Sequence, residues 1–250
     1  MAGVIRASRL LLFGALALVL MAAVGLTSAP TALATVPSFV QQVSARGHAG
    51  SLTVTPGSVV TAGDRMLVEV GVWNTSGATA SSVTDSAGNT YTELAHFQAS
   101  DRTELSVWST PISAGGGTKP TITVKATSTA DIGLTALEYS GLSAAGGTSV
   151  LDVSATKSGT TSSAATVSSG ATPAATGSNE LAIGFYADSG FSDTLTAGAG
   201  WAGRVNLAPT PDMELLAEDQ PAGLGSTPNA TVGTGPNTVW LMATLVLKHA

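Results

Sequence analysis

Glu104, Glu138, Glu214 and Glu218, four carboxylates in β-rich segments, are the residues of this chain best suited to acid–base chemistry. Hydrolysing a glycosidic bond takes two such groups, about 5–5.5 Å apart for a double displacement and roughly 6.5–9.5 Å apart when water attacks directly. Glu104 and Glu214 occupy matching positions in two similar stretches of the chain. Successive side chains of a strand leave on opposite faces, so Glu104 points away from the face carrying Leu105 and Val107. It is expected to face solvent, as a charged residue on a wet strand face would.

Aromatic rings offer a second kind of chemistry, stacking on the apolar side of a sugar. Trp73, Trp108, Trp201 and Trp240 are available, with Tyr91, Tyr139 and Tyr186. Trp108 lies on the face opposite Leu105 and Val107, and Trp73 ends a valine-rich strand just before Asn74-Thr75-Ser76-Gly77. These two are the candidate ligand-facing residues. The competing reading is that both are core, because a large ring buries roughly 150–250 Å² and interiors use such groups.

Metal and nucleophile chemistry find less to work with. His48, His96 and His249 are the only histidines and show no His-Glu-x-x-His spacing, so they read as surface or strand residues. Calcium takes oxygen ligands from loops. Asp85 and Asn89 are the candidate ligands for a structural Ca²⁺, with Asp188 and Asp193 as a second pair, although neither run has the EF-hand pattern. Asx turns account for Asp85 and Asn89 without any ion. No other cofactor is expected. Gly141-Leu142-Ser143-Ala144-Ala145 lacks the last glycine of a nucleophile elbow, and Gly115-Gly116-Gly117-Thr118-Lys119-Pro120 puts proline where a phosphate-binding helix would start. The absence of cysteine excludes disulfides, thiolate metal sites and cysteine nucleophiles.

Composition narrows the partners. Charged residues make up 10% of the chain, the formal net charge is −6, and the ten Lys and Arg are scattered. A nucleic-acid binder would cluster them, so nucleic acid is not an expected partner. At the N-terminus, Arg6 and Arg9 precede an apolar run from Leu10 to Leu26, and Ala32-Leu33-Ala34 supplies small residues for cleavage before Thr35. Residues 1–34 are therefore read as a secretory signal peptide, with an uncleaved membrane anchor as the alternative. After cleavage the protein is expected to be extracellular and free of the membrane.

The elements that must position these groups are short strands. Val83-Thr84-Asp85-Ser86-Ala87-Gly88-Asn89-Thr90-Tyr91-Thr92 has the form strand, tight turn, strand, with Gly88 free to take positive φ. Met66, Val68, Val70 and Val72 alternate with Leu67, Glu69, Gly71 and Trp73. Strands are also expected at 51–55, 94–98, 103–110, 121–128, 133–139 and 150–155. Residues 35–50 form a lead-in without clear period. The second half restates the first at roughly 110 residues. Leu181, Ile183 and Phe185 answer Val68, Val70 and Val72. Leu215 and Ala217 answer Leu105 and Val107, and Ala243, Leu245 and Leu247 answer Thr135, Leu137 and Tyr139. No linker divides the halves, so residues 51–250 are expected to form one domain from half-repeats at 51–142 and 160–250. The expected fold is an all-β, two-sheet antiparallel sandwich, jelly-roll-like in the broad sense.

The segments Val83 to Tyr91, Leu105-Ser106-Val107-Trp108, Leu137-Glu138-Tyr139-Ser140-Gly141-Leu142, Leu151-Asp152 and Asn179-Glu180-Leu181 carry a resemblance. Together they resemble a β-sandwich domain type of secreted bacterial proteins, often found beside Ig-like or fibronectin type III modules. The resemblance covers about Ser51 to the C-terminus. It implies an extracellular, non-enzymatic module and transfers no catalytic residue. The function expected is adhesion, matrix contact or carbohydrate binding, with polysaccharide or a cell-surface or matrix protein as partner. The alternatives are a secreted polysaccharide hydrolase and a spacer domain without a small ligand.

Overall fold

The structure, a computed structural model, describes Gly3 and residues 36–250, so the proposed signal segment lies outside the described residues. Among the described residues, fourteen strands make up nearly all the regular structure: β1 (Ser38–Val54), β2 (Arg65–Trp73), β3 (Ala80–Asp85), β4 (Thr92–Gln98), β5 (Glu104–Pro111), β6 (Ile122–Ser140), β7 (Leu151–Thr160), β8 (Ala165–Ser168), β9 (Glu180–Asp188), β10 (Thr196–Ala197), β11 (Ala202–Asn206), β12 (Glu214–Ala222), β13 (Thr231–Thr234) and β14 (Val239–Leu247). The one helical element described is a 3-10 turn at Gly147–Val150. This is an all-β antiparallel sandwich.

Two sheets face each other. The first runs β1-β6-β2-β5-β4, with β3 also paired to β6, and the second runs β11-β12-β9-β14-β7. Between them lies the largest apolar layer, built from Leu67, Leu105, Val107, Leu137 and Tyr139 on one side and Leu181, Ile183, Phe185, Leu215, Ala217, Leu241 and Leu245 on the other. Gly71 and Gly133 keep the sheets close here. A Cβ on Gly71 would fall 2.5 Å from Met213 Cε, and one on Gly133 would fall 2.9 Å from a Leu215 methyl.

The outer faces are covered as well. Val68, Val70 and Val72 of β2 pack against Val54 of β1, Val83 of β3, and Ile122 and Val124 of β6. Behind the second sheet, Tyr186, Leu216 and Met242 pack against Val167 of β8 and Val232 of β13. These belong to a small three-stranded sheet in the order β10-β13-β8. Both faces of β2 and β9 are therefore buried, and each strand is apolar almost throughout.

Several expectations change at this level. Residues 38–50 of the lead-in form most of β1, a 17-residue edge strand paired with β6 across bulges at Phe39/Gln41 and Ala49/Ser51. One face of such an edge is wet and its glycines dilute the pattern, which hides the period. The strands expected at 121–128 and 133–139 are a single strand, β6. The strand–turn–strand at Val83–Thr92 is present but is no hairpin: β3 pairs with β6 and β4 with β5. The matching of Leu181, Ile183 and Phe185 to Val68, Val70 and Val72 is out of register. Val72 lies opposite Glu104 and Asp188 lies opposite Glu214. Leu181, Ile183 and Phe185 join Leu67 in the layer between the sheets, whereas Val68, Val70 and Val72 face outward, so the two runs lie on different faces.

Candidate functional site

The central carboxylates are buried and used by the fold. Glu104, expected at the surface, has no exposed area because its face of the first sheet is covered by β3 and the start of β6. Its Oε2 accepts the Ala80 N–H at 2.6 Å, fastening the start of β3. Glu138 Oε1 accepts the Thr61 N–H at 2.7 Å, and its Oε2 accepts the Gln41 side-chain amide at 2.6 Å. Glu218 takes the Gly198 and Thr231 N–H groups, at 2.6 and 3.1 Å. Glu214 takes those of Thr210 and Asp193, at 2.7 and 3.3 Å. Each carboxylate substitutes for a missing ladder partner where a loop meets a sheet, as buried backbone donors require. Burial pushes Glu104 and Glu218 up to about 7, against the pull of those amides.

Asp188 and Asp193 do come together, with Glu214 as the third member. One oxygen from each lies within 4.8 Å of the others. Asp188 Oδ2 accepts the Tyr186 hydroxyl at 2.8 Å and Oδ1 the Gly190 N–H at 2.7 Å. Asp193 Oδ2 accepts the Thr234 and Thr238 hydroxyls. Burial, then the charge of Glu214, pushes Asp188 up to about 8, and burial also raises Glu214. Protons and hydroxyl donors thus offset the crowding of three acids. The sequence paired Asp188 with Asp193; Glu214 was singled out there only as a carboxylate suited to acid–base chemistry.

Asp85 and Asn89 form a closed polar lock. Asp85 Oδ1 accepts the N–H groups of Ala87, Gly88 and Asn89 at 3.0, 2.8 and 3.1 Å. Its Oδ2 accepts the Asn89 side-chain amide at 2.8 Å and the Tyr91 hydroxyl at 3.3 Å. Asn89 Oδ1 in turn accepts from the Ser113 N–H, the Ser113 hydroxyl and the Ala114 N–H. Donors therefore point at the oxygens a calcium ion would need. The calcium reading of Asp85 and Asn89 gives way to a turn that ties the β3–β4 loop to the β5–β6 loop.

Trp73 and Trp108 are half-buried on opposite faces of the same sheet, so they cannot form one platform. Trp108 lies directly across from Val68 and packs on the valine side, its indole N–H donating to Ser106 Oγ at 3.1 Å. Trp73 shares the Leu67 face and donates to the Asp101 carbonyl at 3.1 Å. Among the described residues, the large exposed apolar side chains are instead Val36, Val40, Val59, Phe191 and Leu224.

Two further groups escaped sequence reading. Arg204 of β11 grips both oxygens of Asp219 at 2.7 and 2.9 Å. The Tyr139 hydroxyl of β6 donates to the same carboxylate at 2.8 Å, which joins the two sheets. Phe39 packs edge-on to Tyr139 with ring centres 5.6 Å apart, and the Arg204 guanidinium lies 4.8 Å from the Phe39 ring. A surface hollow of about 290 Å³ opens beside Arg204, lined also by Ala197, Gly203, Val205, Asn206 and Leu216. The second group is on β4 and β5, where His96 lies beside Glu93 and Glu104. Compared with protein-family models, with curated proteins and with solved structures, the chain matches none.

Proposed function

We propose that this chain is a secreted, non-enzymatic β-sandwich module that makes contacts outside the cell, with matrix or cell-surface protein or with polysaccharide as its partner. One observation carries the reading. The carboxylates that the sequence offers for bond cleavage are buried, and each gives an oxygen to a backbone amide, at Ala80, Thr61, Thr210 and Gly198. What this arrangement provides is a stiff surface of low charge with anchored loops. The reading also takes the two strand sets as copies of one unit. Its support is the pairing order, in which β1, β6, β2, β5 and β4 run as β7, β14, β9, β12 and β11 do.

The test is retention of the purified chain on arrays of glycans and matrix proteins, run beside an assay for released reducing ends. Saturable retention without release is expected. Release that vanishes in Glu104→Gln or Glu214→Gln would replace the reading with a hydrolase. Neither retention nor release would leave a spacer.

A further inference from the structure

We propose that His96 and Glu104, with Glu93 as the outer support of His96, form a binding site for one divalent transition-metal ion of the zinc class, at the outer edge of the first sheet. The site stands independently of the extracellular-contact reading. It depends on a local irregularity. Residues three apart on a regular strand point to opposite faces, yet His96 Nδ1 lies 2.9 Å from Glu93 Oε1. The bulge between Glu93 and Ala95 brings them to one side. Glu104 pairs with Gln98 and Ser106 pairs with His96, so Glu104 is the diagonal neighbour of His96 on the adjacent strand.

The orientation of Glu104 points to a ligand. Its Oε2 is held by the Ala80 amide. Its Oε1 is fully buried, has no hydrogen-bond partner, and faces His96 Nε2 at 3.6 Å. That separation is too long for a hydrogen bond. It suits two ligands that each stand about 2.0–2.1 Å from a shared ion. When the Nδ1–H donates to Glu93, the Nε2 lone pair and the Glu104 lone pair confront each other, and a cation between them resolves the conflict. A carboxylate that orients a histidine in this way is the usual outer support of a histidine-bound metal.

An imidazole among carboxylates favours zinc-class ions over calcium, which takes oxygen alone. One ligand atom from each of the three residues lies within 4.8 Å of the others. His96 and Glu93 are about one-third exposed, at 37% and 34%, which leaves a path for the ion and room for water ligands. The acidic cluster at Asp188 differs, because both Asp188 oxygens and both Glu214 oxygens already accept protein donors.

The experiment is calorimetric titration of the untagged, chelator-treated chain with Zn²⁺, with Ca²⁺ as comparison. A ¹⁵N spectrum of the histidine side chains is recorded at each end point. Expected are one equivalent of zinc bound, a large shift of the His96 Nε2 resonance, and at least ten-fold weaker binding in His96→Gln and Glu104→Gln. Glu93→Gln should weaken binding by about ten-fold, as for other outer supports. The proposal is overturned if no stoichiometric binding occurs. It is overturned equally if binding is unchanged in His96→Gln, which would move the ion elsewhere, for instance to His48 beside Asp131. Should Glu104→Gln fail to fold, an unmoved His96 resonance in the unaltered chain would still refute the site.

Discussion

Glu69 sits where a hydrocarbon is expected. It lies midway along β2 on the Leu67 face, across from Val107 on one neighbouring strand and Thr135 on the other. Its side chain is fully buried, and neither carboxyl oxygen has a hydrogen-bond partner; the Thr135 hydroxyl is likewise unpaired. Burial pushes the carboxyl well above its usual 4.5, opposed only by the Tyr186 backbone of the facing sheet, too poorly placed to count as a hydrogen bond. Replacing the group by leucine removes a buried unsatisfied polar group, which costs about 1–3 kcal/mol, against a shape mismatch of at most about 1.5 kcal/mol.

A second contribution depends on pH, and its sign is fixed. Below 4.5 the carboxyl is protonated in both the folded and the unfolded chain and adds no slope. Above 4.5 the unfolded chain ionises while the folded group stays neutral, so stability falls by about 1.4 kcal/mol per pH unit until the folded group ionises too. The advantage of Glu69→Leu should therefore be larger at pH 6.5 than at pH 4. Glu69→Gln should lose the slope while keeping unpaired polar atoms. Urea unfolding of the three proteins at both pH values reads the difference. A leucine variant that is less stable, or an advantage that does not change with pH, would refute the reasoning.

Other perturbations follow from the same geometry. Asp85→Ala removes five hydrogen bonds to the carboxylate and should cost about 2–4 kcal/mol in chemical denaturation. Chelator should not move the melting temperature of the unaltered chain through Asp85 and Asn89; a fall that Asp85→Ala abolishes would restore calcium there. Gly190 has φ +94° and an ideal Cβ would fall 2.2 Å from the Asp212 carbonyl oxygen, so Gly190→Ala should destabilise by about 2–5 kcal/mol. Asp188, raised to about 8, costs stability increasingly as pH climbs from 3.8 towards that value. Asp188→Asn should melt higher than the unaltered chain at pH 7, with the gap closing towards pH 4.

The all-β class was legible because period-two alternation and Gly/Pro turns are local. Depth was not legible. Alternation says that Glu104 and Leu105 point apart, but not that both faces are covered, and a solvent-facing Glu104 followed from assuming one wet face. The register of β9 failed for a related reason. When both faces are apolar, Leu181, Ile183 and Phe185 fit either face, and only the pairing of Asp188 with Glu214 decides. The Glu93–His96 approach was hidden because a bulge breaks the parity by which a strand is read. Bringing Arg204 to Asp219 and Tyr139 takes partners 15 and 80 residues distant from the acid, beyond any local pattern.

The central claim is that the buried carboxylates fasten loops and are not reagents. Amide hydrogen exchange tests it residue by residue. In Glu218→Ala, the Gly198 amide loses its acceptor and is left a buried unsatisfied donor, at a cost of about 1–3 kcal/mol. Its exchange should quicken by about ten-fold or more, while amides in the middle of β9 and β14 keep their rates. Unchanged protection at Gly198, together with loss of a measurable bond-cleaving activity in the same variant, would contradict the account.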